Sequence, residues 1–328
     1  MKPALLICLG LGSLTATATA DDRTSANDER VTVRSLRLPV TLSDGKKYEI
    51  AAQAYSQGNL TGKVLQIAVH GVSYDHSYWD APSFHGRSYS YARFMANRGD
   101  AVLAVDQLGA GKSAQPDGDF LNLDESARGI EQLVQQFKTR DNPLHVAFQK
   151  VVLVGHSFGS LTALHAQAHC QCADGLLLTG WLNDSPLPVD PSVFAPLLAA
   201  PYTTLPADLR TSLFYFPATA DPEVVDFDNN QISTTVSRGQ LLSVIGAVNS
   251  NPSPAIDAAA VRVPVLLQVG QRDVVMSERT VSDQDSEYTA SSGVTSQELP
   301  NIGHDLNLHE NHLEGWLYAD TWLALNFR

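Results

Sequence analysis

The chain predicts an α/β fold in which a mostly parallel sheet is covered by helices on both faces. Three observations predict it. Short, wholly apolar runs alternate with longer amphipathic ones, as strands buried on both faces alternate with crossover helices. One such run, Val151-Val152-Leu153-Val154, passes through Gly155-His156-Ser157-Phe158-Gly159 into a helical stretch, Ser160 to Ala168, the sequence form of a strand turning sharply into a helix. Residues suited to chemistry sit directly after apolar runs, where an open parallel sheet gathers functional groups at its strand ends.

The elements follow in order. Residues 1–20 read as a targeting segment: Lys2 is their only charge, an apolar run spans Ala4 to Leu14, and Ala18-Thr19-Ala20 supplies a cleavage site. That run is too short to span a membrane. The expectation is an exported protein, secreted or periplasmic, whose mature chain starts near Asp21. Val31 to Leu38 and Tyr48 to Tyr55 flank the turn signal Ser43-Asp44-Gly45-Lys46 and predict an antiparallel hairpin. Val64 to Val69 predicts a buried strand ending in His70-Gly71. Ser88 to Asn97 predicts a helix, Ala101 to Val105 a strand, and Leu123 to Thr139 an amphipathic helix with Ile130, Leu133, Val134 and Phe137 on one face. Gly175 to Thr179 predicts the next strand.

The alternation breaks at Trp181. From 181 to 256 the chain is rich in proline, with Phe194, Tyr202, Phe214, Tyr215, Phe216 and Phe227 interleaved. This content is too apolar for a disordered loop and predicts short helices inserted between two strands. The aromatic residues serve equally well as a small core of their own or as a substrate wall. Val263 to Gly270 resumes the sheet, Ser296 to Leu299 adds a strand, and Leu313 to Phe327 predicts a closing helix. The units are therefore 1–20, a core over 21–180, an insertion over 181–256, and the rest of the core over 257–328.

Composition narrows the partners. The chain has 328 residues, 44% of them hydrophobic, enough for a substantial core. Its 35 acidic and 22 basic residues give a formal charge of −13, which disfavours nucleic acid and anionic membrane surfaces. Cys8 falls in the leader, leaving Cys170 and Cys172. Two residues apart on a helix, they point to different sides; a helix ending before them permits a bridge, and both states stay open.

A serine hydroxyl needs a base to become a nucleophile, and the base needs an orienting carboxylate. After Ser157, Asp273 follows the strand beyond the insertion and His304 follows the last strand, giving the order Ser…Asp…His. Asp184 is the rival acid. His309 and His312 compete with His304, but their position near the closing helix predicts solvent exposure. His165 and His169 stand one helical turn apart, as a metal pair can, yet lack the glutamate of H-E-x-x-H, so packing or surface roles are expected.

With His70-Gly71 after the third strand, Trp79 downstream, the D-x-x-G-x-G-x-S run from Asp106 to Ser113, G-x-S-x-G, and the spaced Asp273 and His304, the chain resembles the α/β-hydrolase family from about residue 31 to its end. The resemblance implies an eight-stranded sheet, with the insertion as a cap. It implies Ser157 as nucleophile, His304 as general base, Asp273 as its orienting acid, and an oxyanion hole made by the N–H groups of Phe158 and Val72. His70 and Gly71 would organise the oxyanion loop, and Asp106 a turn near the site. Gly155 and Gly159 leave room for the close strand-to-helix approach. The implied reaction is cleavage of a small-molecule carboxylic ester, or a lactone or amide, with a largely apolar group, through an acyl-enzyme and with no cofactor or metal. The serine disfavours epoxide hydrolysis and dehalogenation, where related enzymes carry aspartate at the elbow. The same residues permit acyl transfer to an alcohol or amine, or perhydrolysis. A non-catalytic binder of the same fold would have no need of all three side chains.

Overall fold

The computed structural model describes residues 30–187, 191–277 and 279–328. The predicted leader lies outside the described residues. In chain order the elements are β1 (Thr32–Thr41), β2 (Lys47–Ser56), β3 (Val64–Val69), a small hairpin of β4 (Ala81–Phe84) and β5 (Arg87–Tyr89), α1 (Tyr91–Asn97), β6 (Ala101–Val105), α2 (Leu123–Phe137), β7 (Lys150–His156), α3 (Phe158–Cys170) and β8 (Gly175–Thr179). Then come β9 (Tyr202–Thr203), α4 (Ala207–Phe214), α5 (Pro222–Phe227), β10 (Val236–Ser237), α6 (Arg238–Val248), α7 (Ala255–Ala260), β11 (Val265–Gly270), β12 (Val294–Leu299) and α8 (Leu313–Phe327).

Among the described residues, eight strands form the central sheet in the order β1-β2-β6-β3-β7-β8-β11-β12. Only β1 with β2 and β2 with β6 pair antiparallel; the other five pairs are parallel. Every residue of β3, β6, β8 and β11 is buried, as continuous apolar runs require when helices cover both faces. After β3 the chain crosses to β6 on one side and returns to β7 on the other, so the loops after β3 and β7 meet at the switch point where doubly wound sheets bind ligands.

Helix boundaries follow local chemistry. Asn122 caps α2 by accepting from the Glu125 N–H, and Asp124 and Glu125 occupy the positive first turn. Its stripe of Ile130, Leu133, Val134 and Phe137 is buried. α1 starts later than the sequence predicts: Ser90 caps it by accepting from Arg93 N, while Ser88 and Tyr89 pair in β5. The alternation Ser88-Tyr89-Ser90-Tyr91 suits a strand, which is why the helix begins only at Tyr91. α3 ends at Gln171, whose φ of 48° is left-handed, and this break turns Cys172 back onto Cys170 to form a disulfide with Cα atoms 5.0 Å apart.

Between β8 and β11 the chain carries α4 to α7 and the β9–β10 ribbon. It is tied to the rest by Ser237 Oγ, which donates to Leu121 O at 2.6 Å, and by Arg238, which donates to both oxygens of Asp119 at 2.5 and 2.7 Å. No helix among the described residues is long and apolar enough to cross a membrane.

Candidate active site

Register brings the site together. Val69 lies opposite Gly155 in the β3–β7 pair, so His70-Gly71 emerges beside His156-Ser157. Ser157 itself adopts φ 53° and ψ −122°, a strained conformation for a residue with a side chain, at the junction of β7 and α3. The turn is tight enough that a Cβ on Gly155 would lie 2.4 Å from the Ser160 backbone, and one on Gly159 would lie 2.1 Å from Val69 O. Only glycine fits either place.

The three side chains singled out by their order are in contact. Ser157 Oγ lies 2.9 Å from His304 Nε2, and His304 Nδ1 lies 2.8 Å from Asp273 Oδ2. Asp273 Oδ1 is held in turn by the N–H groups of Val275 and Met276, at 2.8 and 3.0 Å. Histidine and aspartate are both buried, while Ser157 is half-buried. Burial works against charging the His304 ring, but the Asp273 charge and hydrogen bond outweigh it, and the imidazole titrates above its ordinary 6.5.

A cavity of about 10 Å³ is lined by Gly71, Val72 and Phe158 together with Thr235, Val236 and Gln240. That is room for about one water-sized atom. Phe158 is the first residue of α3, whose leading N–H groups have no partner within the helix. His70 is buried beneath this loop: its Nδ1 lies 2.7 Å from Gly71 O, and its Nε2 accepts from Gln107 N at 2.9 Å. Burial lowers its pKa, so it serves as a neutral brace. Asp106 accepts from His76 N, His76 Nδ1 and Lys112 N at 2.8, 2.6 and 2.8 Å. This uses three of the carboxylate's roughly four acceptor positions. The serine ending the D-x-x-G-x-G-x-S run, Ser113, donates to Asp106 O and accepts from Ala51 N.

The expected exposure of two histidines needs revision. His309 and His312 are buried rather than solvent-facing. His309 Nε2 accepts from Phe216 N at 2.9 Å and Gly303 N at 3.1 Å, with Nδ1 on Asp305 O, so the ring satisfies backbone donors in the turn before α8. Burial holds the His312 ring down at about 4. Neither ring is a free base. Asp184, the rival acid, accepts from Ser253 Oγ at 2.7 Å.

Sequence reasoning missed a buried polar network. His156 Nε2 lies 3.1 Å from Asp305 Oδ1, and the Tyr74 hydroxyl touches both Asp305 and Asp228. Arg210 of α4 pairs with Asp228, donates to Ser73 O at 3.1 Å and stacks 4.3 Å above the Tyr74 ring. All five side chains are essentially out of solvent. Burial pushes Asp228 up to about 7 and Asp305 to about 6, despite the guanidinium. The available signals were a carboxylate directly after His304 and a single arginine between Trp181 and Phe227.

The comparisons agree with this architecture. No curated protein matches the chain by sequence. Among solved structures, the chain is similar to a thermophilic esterase from Thermogutta terrifontis, at 18% identity and TM-score 0.66 over 89% of this chain and 100% of that one. An esterase from Exiguobacterium antarcticum is similar at 17% identity and TM-score 0.63, over 88% and 100%. A monoacylglycerol lipase from Paleococcus ferrophilus is similar at 18% identity and TM-score 0.62, over 89% and 99%. The sequence profile of the "Alpha/beta hydrolase family" matches residues 67–314, from the middle of β3 into α8. With sheet order, elbow and profile in agreement, the chain belongs to the α/β-hydrolase family.

Proposed function

We propose that the protein is an exported serine hydrolase that cleaves a small-molecule carboxylic ester through an acyl-enzyme. The observation that carries this reading is the unbroken chain from Ser157 Oγ through His304 to Asp273, at 2.9 and 2.8 Å. His304 takes the proton from Ser157 as the hydroxyl attacks the carbonyl carbon. Asp273 holds the ring and stabilises its charged form, and the proton then passes to the departing alcohol. Water, activated by the same imidazole, releases the acid and restores the serine. The N–H groups of Val72 and Phe158 hold the oxyanion in this reading, each worth about 10²–10³ in rate.

The segment over 181–256 acts as a cap in this reading. Phe214 stands 5.3 Å from the His304 ring, and Val236 and Gln240 line the small cavity shared with Val72 and Phe158. Its apolar content favours an apolar acyl or alcohol group. The Cys170–Cys172 disulfide suits an oxidising compartment, in keeping with export. The test is a fluorophosphonate probe together with an ester series of graded acyl length. Labelling at Ser157, and ester turnover lost in Ser157→Ala, are expected; folded protein left unlabelled and inactive on every ester would refute the reading.

A further inference from the structure

Some 41 to 92 residues of sequence separate the partners of a side-chain cluster on the far part of α3. His165 and His169 lie one turn apart with ring centroids 4.1 Å apart, nearly edge to face. Asp257 of α7 reaches them: its Oδ2 is 2.6 Å from His165 Nδ1. One nitrogen from each imidazole and one Asp257 oxygen all lie within 4.8 Å of one another. The other ring nitrogen of His165, Nε2, lies 2.8 Å from Asp124 Oδ1 on α2.

We propose that His165, His169 and Asp257 form a binding site for a divalent transition metal of the zinc type, with Asp124 as the outer carboxylate that orients His165. The chemistry fits on four counts. Two imidazoles and a carboxylate are the ligand set that zinc takes with three protein donors and one open position. Tetrahedral ligand atoms about 2.0–2.1 Å from zinc lie about 3.3 Å from one another. Reaching that tetrahedron requires the 2.6 Å contact to open and the wider ones to close, and His169 is exposed. A metal-bound histidine almost always gives its second N–H to a carboxylate, and Asp124 stands ready at that nitrogen. Finally, the ion has a way in: Asp124, His165 and Asp257 line an open cleft of about 330 Å³ walled by Leu123, Leu161, Pro252 and Ile256.

Charge explains why a cation belongs there. Two carboxylates converge on one imidazole, Asp257 at Nδ1 and Asp124 at Nε2. A divalent ion takes the place of a proton between Nδ1 and Asp257, leaves the Nε2 proton facing Asp124, and its two charges offset both carboxylates. Bound, it joins α2, α3 and α7, linking the nucleophile helix to the helix that returns the chain to β11. It takes no part in the reaction at Ser157, and the inference stands or falls independently of the esterase reading.

The test is calorimetric titration of ZnCl₂ into untagged, chelator-dialysed mature protein, beside thermal unfolding with and without zinc. Saturable binding of one ion per chain is expected, with a rise in Tm, because a ligand held only by the folded state stabilises it. His169→Ala, at an exposed position that leaves the core intact, should weaken binding at least about tenfold and abolish the Tm rise. Asp124→Asn should weaken it by about 10- to 100-fold, the usual loss for an outer partner. Mg²⁺ should not saturate, since it prefers oxygen ligands. The inference is overturned by no saturation at about millimolar zinc, by unchanged zinc binding in His169→Ala, or by equal affinity for Mg²⁺.

Discussion

Asp305 Oδ1 lies 3.1 Å from His156 Nε2, so the residue after His304 is paired with the residue before Ser157. A second histidine–aspartate pair thus underlies the first, and the two ring centroids of His156 and His304 are 5.0 Å apart. His156 also stacks at 4.4 Å on Tyr78, and burial holds its pKa far down. The lower pair fixes the spacing of the two strand ends that carry the upper one.

Removing that brace should loosen the reacting groups without touching substrate. Asp305→Ala is expected to lower kcat by about 10-fold or more with little change in KM, because misplacement of about 1 Å is enough for such losses. His156 Nε2, left without its partner, should also cost about 1–3 kcal/mol of stability. Steady-state kinetics and urea unfolding measure the two effects; an unchanged kcat would show that the lower pair is dispensable to the upper.

Ser157→Ala should reduce ester turnover by about 10⁴-fold or more while leaving the fold intact. The alanine inherits the same φ of 53°, so no relief of backbone strain is expected from this change. Ser157→Gly, which tolerates that conformation, should be as inactive but more stable than Ser157→Ala. Thermal unfolding of the pair checks the order.

The acid limb of kcat/KM should lie above pH 6.5, since His304 must be neutral to accept the serine proton and its pKa is raised. Activity is therefore present above that pKa and is lost as pH falls through it. Asp273→Asn removes the raising partner, so the residual activity, lower by about 10⁴-fold, should show its acid limb at lower pH. A pH–rate profile of both proteins decides the matter; an unshifted limb would assign the titration elsewhere.

Asp228 titrates in the folded protein at about 7, against 3.8 for an ordinary aspartate. Between those values the folded chain holds a proton that the unfolded chain releases, so this contribution is full below about pH 4 and is lost as pH rises through 7. Asp228→Asn keeps the neutral form at every pH. It should therefore gain stability relative to the parent from about pH 5 to about pH 8, as read by urea midpoints. The opposite trend would mean that Arg210 favours the carboxylate more strongly than burial opposes it.

Much of the fold was legible because burial on both faces writes itself as unbroken apolar runs. Val64–Val69, Ala101–Val105 and Gly175–Thr179 match the strands residue for residue. The order of Ser157, Asp273 and His304 was legible for a related reason: each follows a strand, and β7, β11 and β12 run parallel with only β8 between them, so their ends share one edge of the sheet. The β4–β5 hairpin was not, because its three- and four-residue strands lie outside the sheet and carry no apolar run. The burial of His309 was hidden too, since its partners are backbone N–H groups of Phe216 and Gly303, invisible to any residue pattern. Tyr74, Arg210, Asp228 and Asp305 escaped for want of locality: Tyr74 and Asp305 are 231 residues apart. Each alone reads as an ordinary polar residue.

Arg210, on α4 of the inserted segment, grips Ser73, the neighbour of Val72. Anyone grafting a foreign stretch between β8 and β11 to change the substrate range would therefore remove the clamp on the loop beside Ser157 along with the old walls. Such chimeras would need a guanidinium re-supplied at the same spot, or a Ser73–Tyr74 turn redesigned to stand unaided.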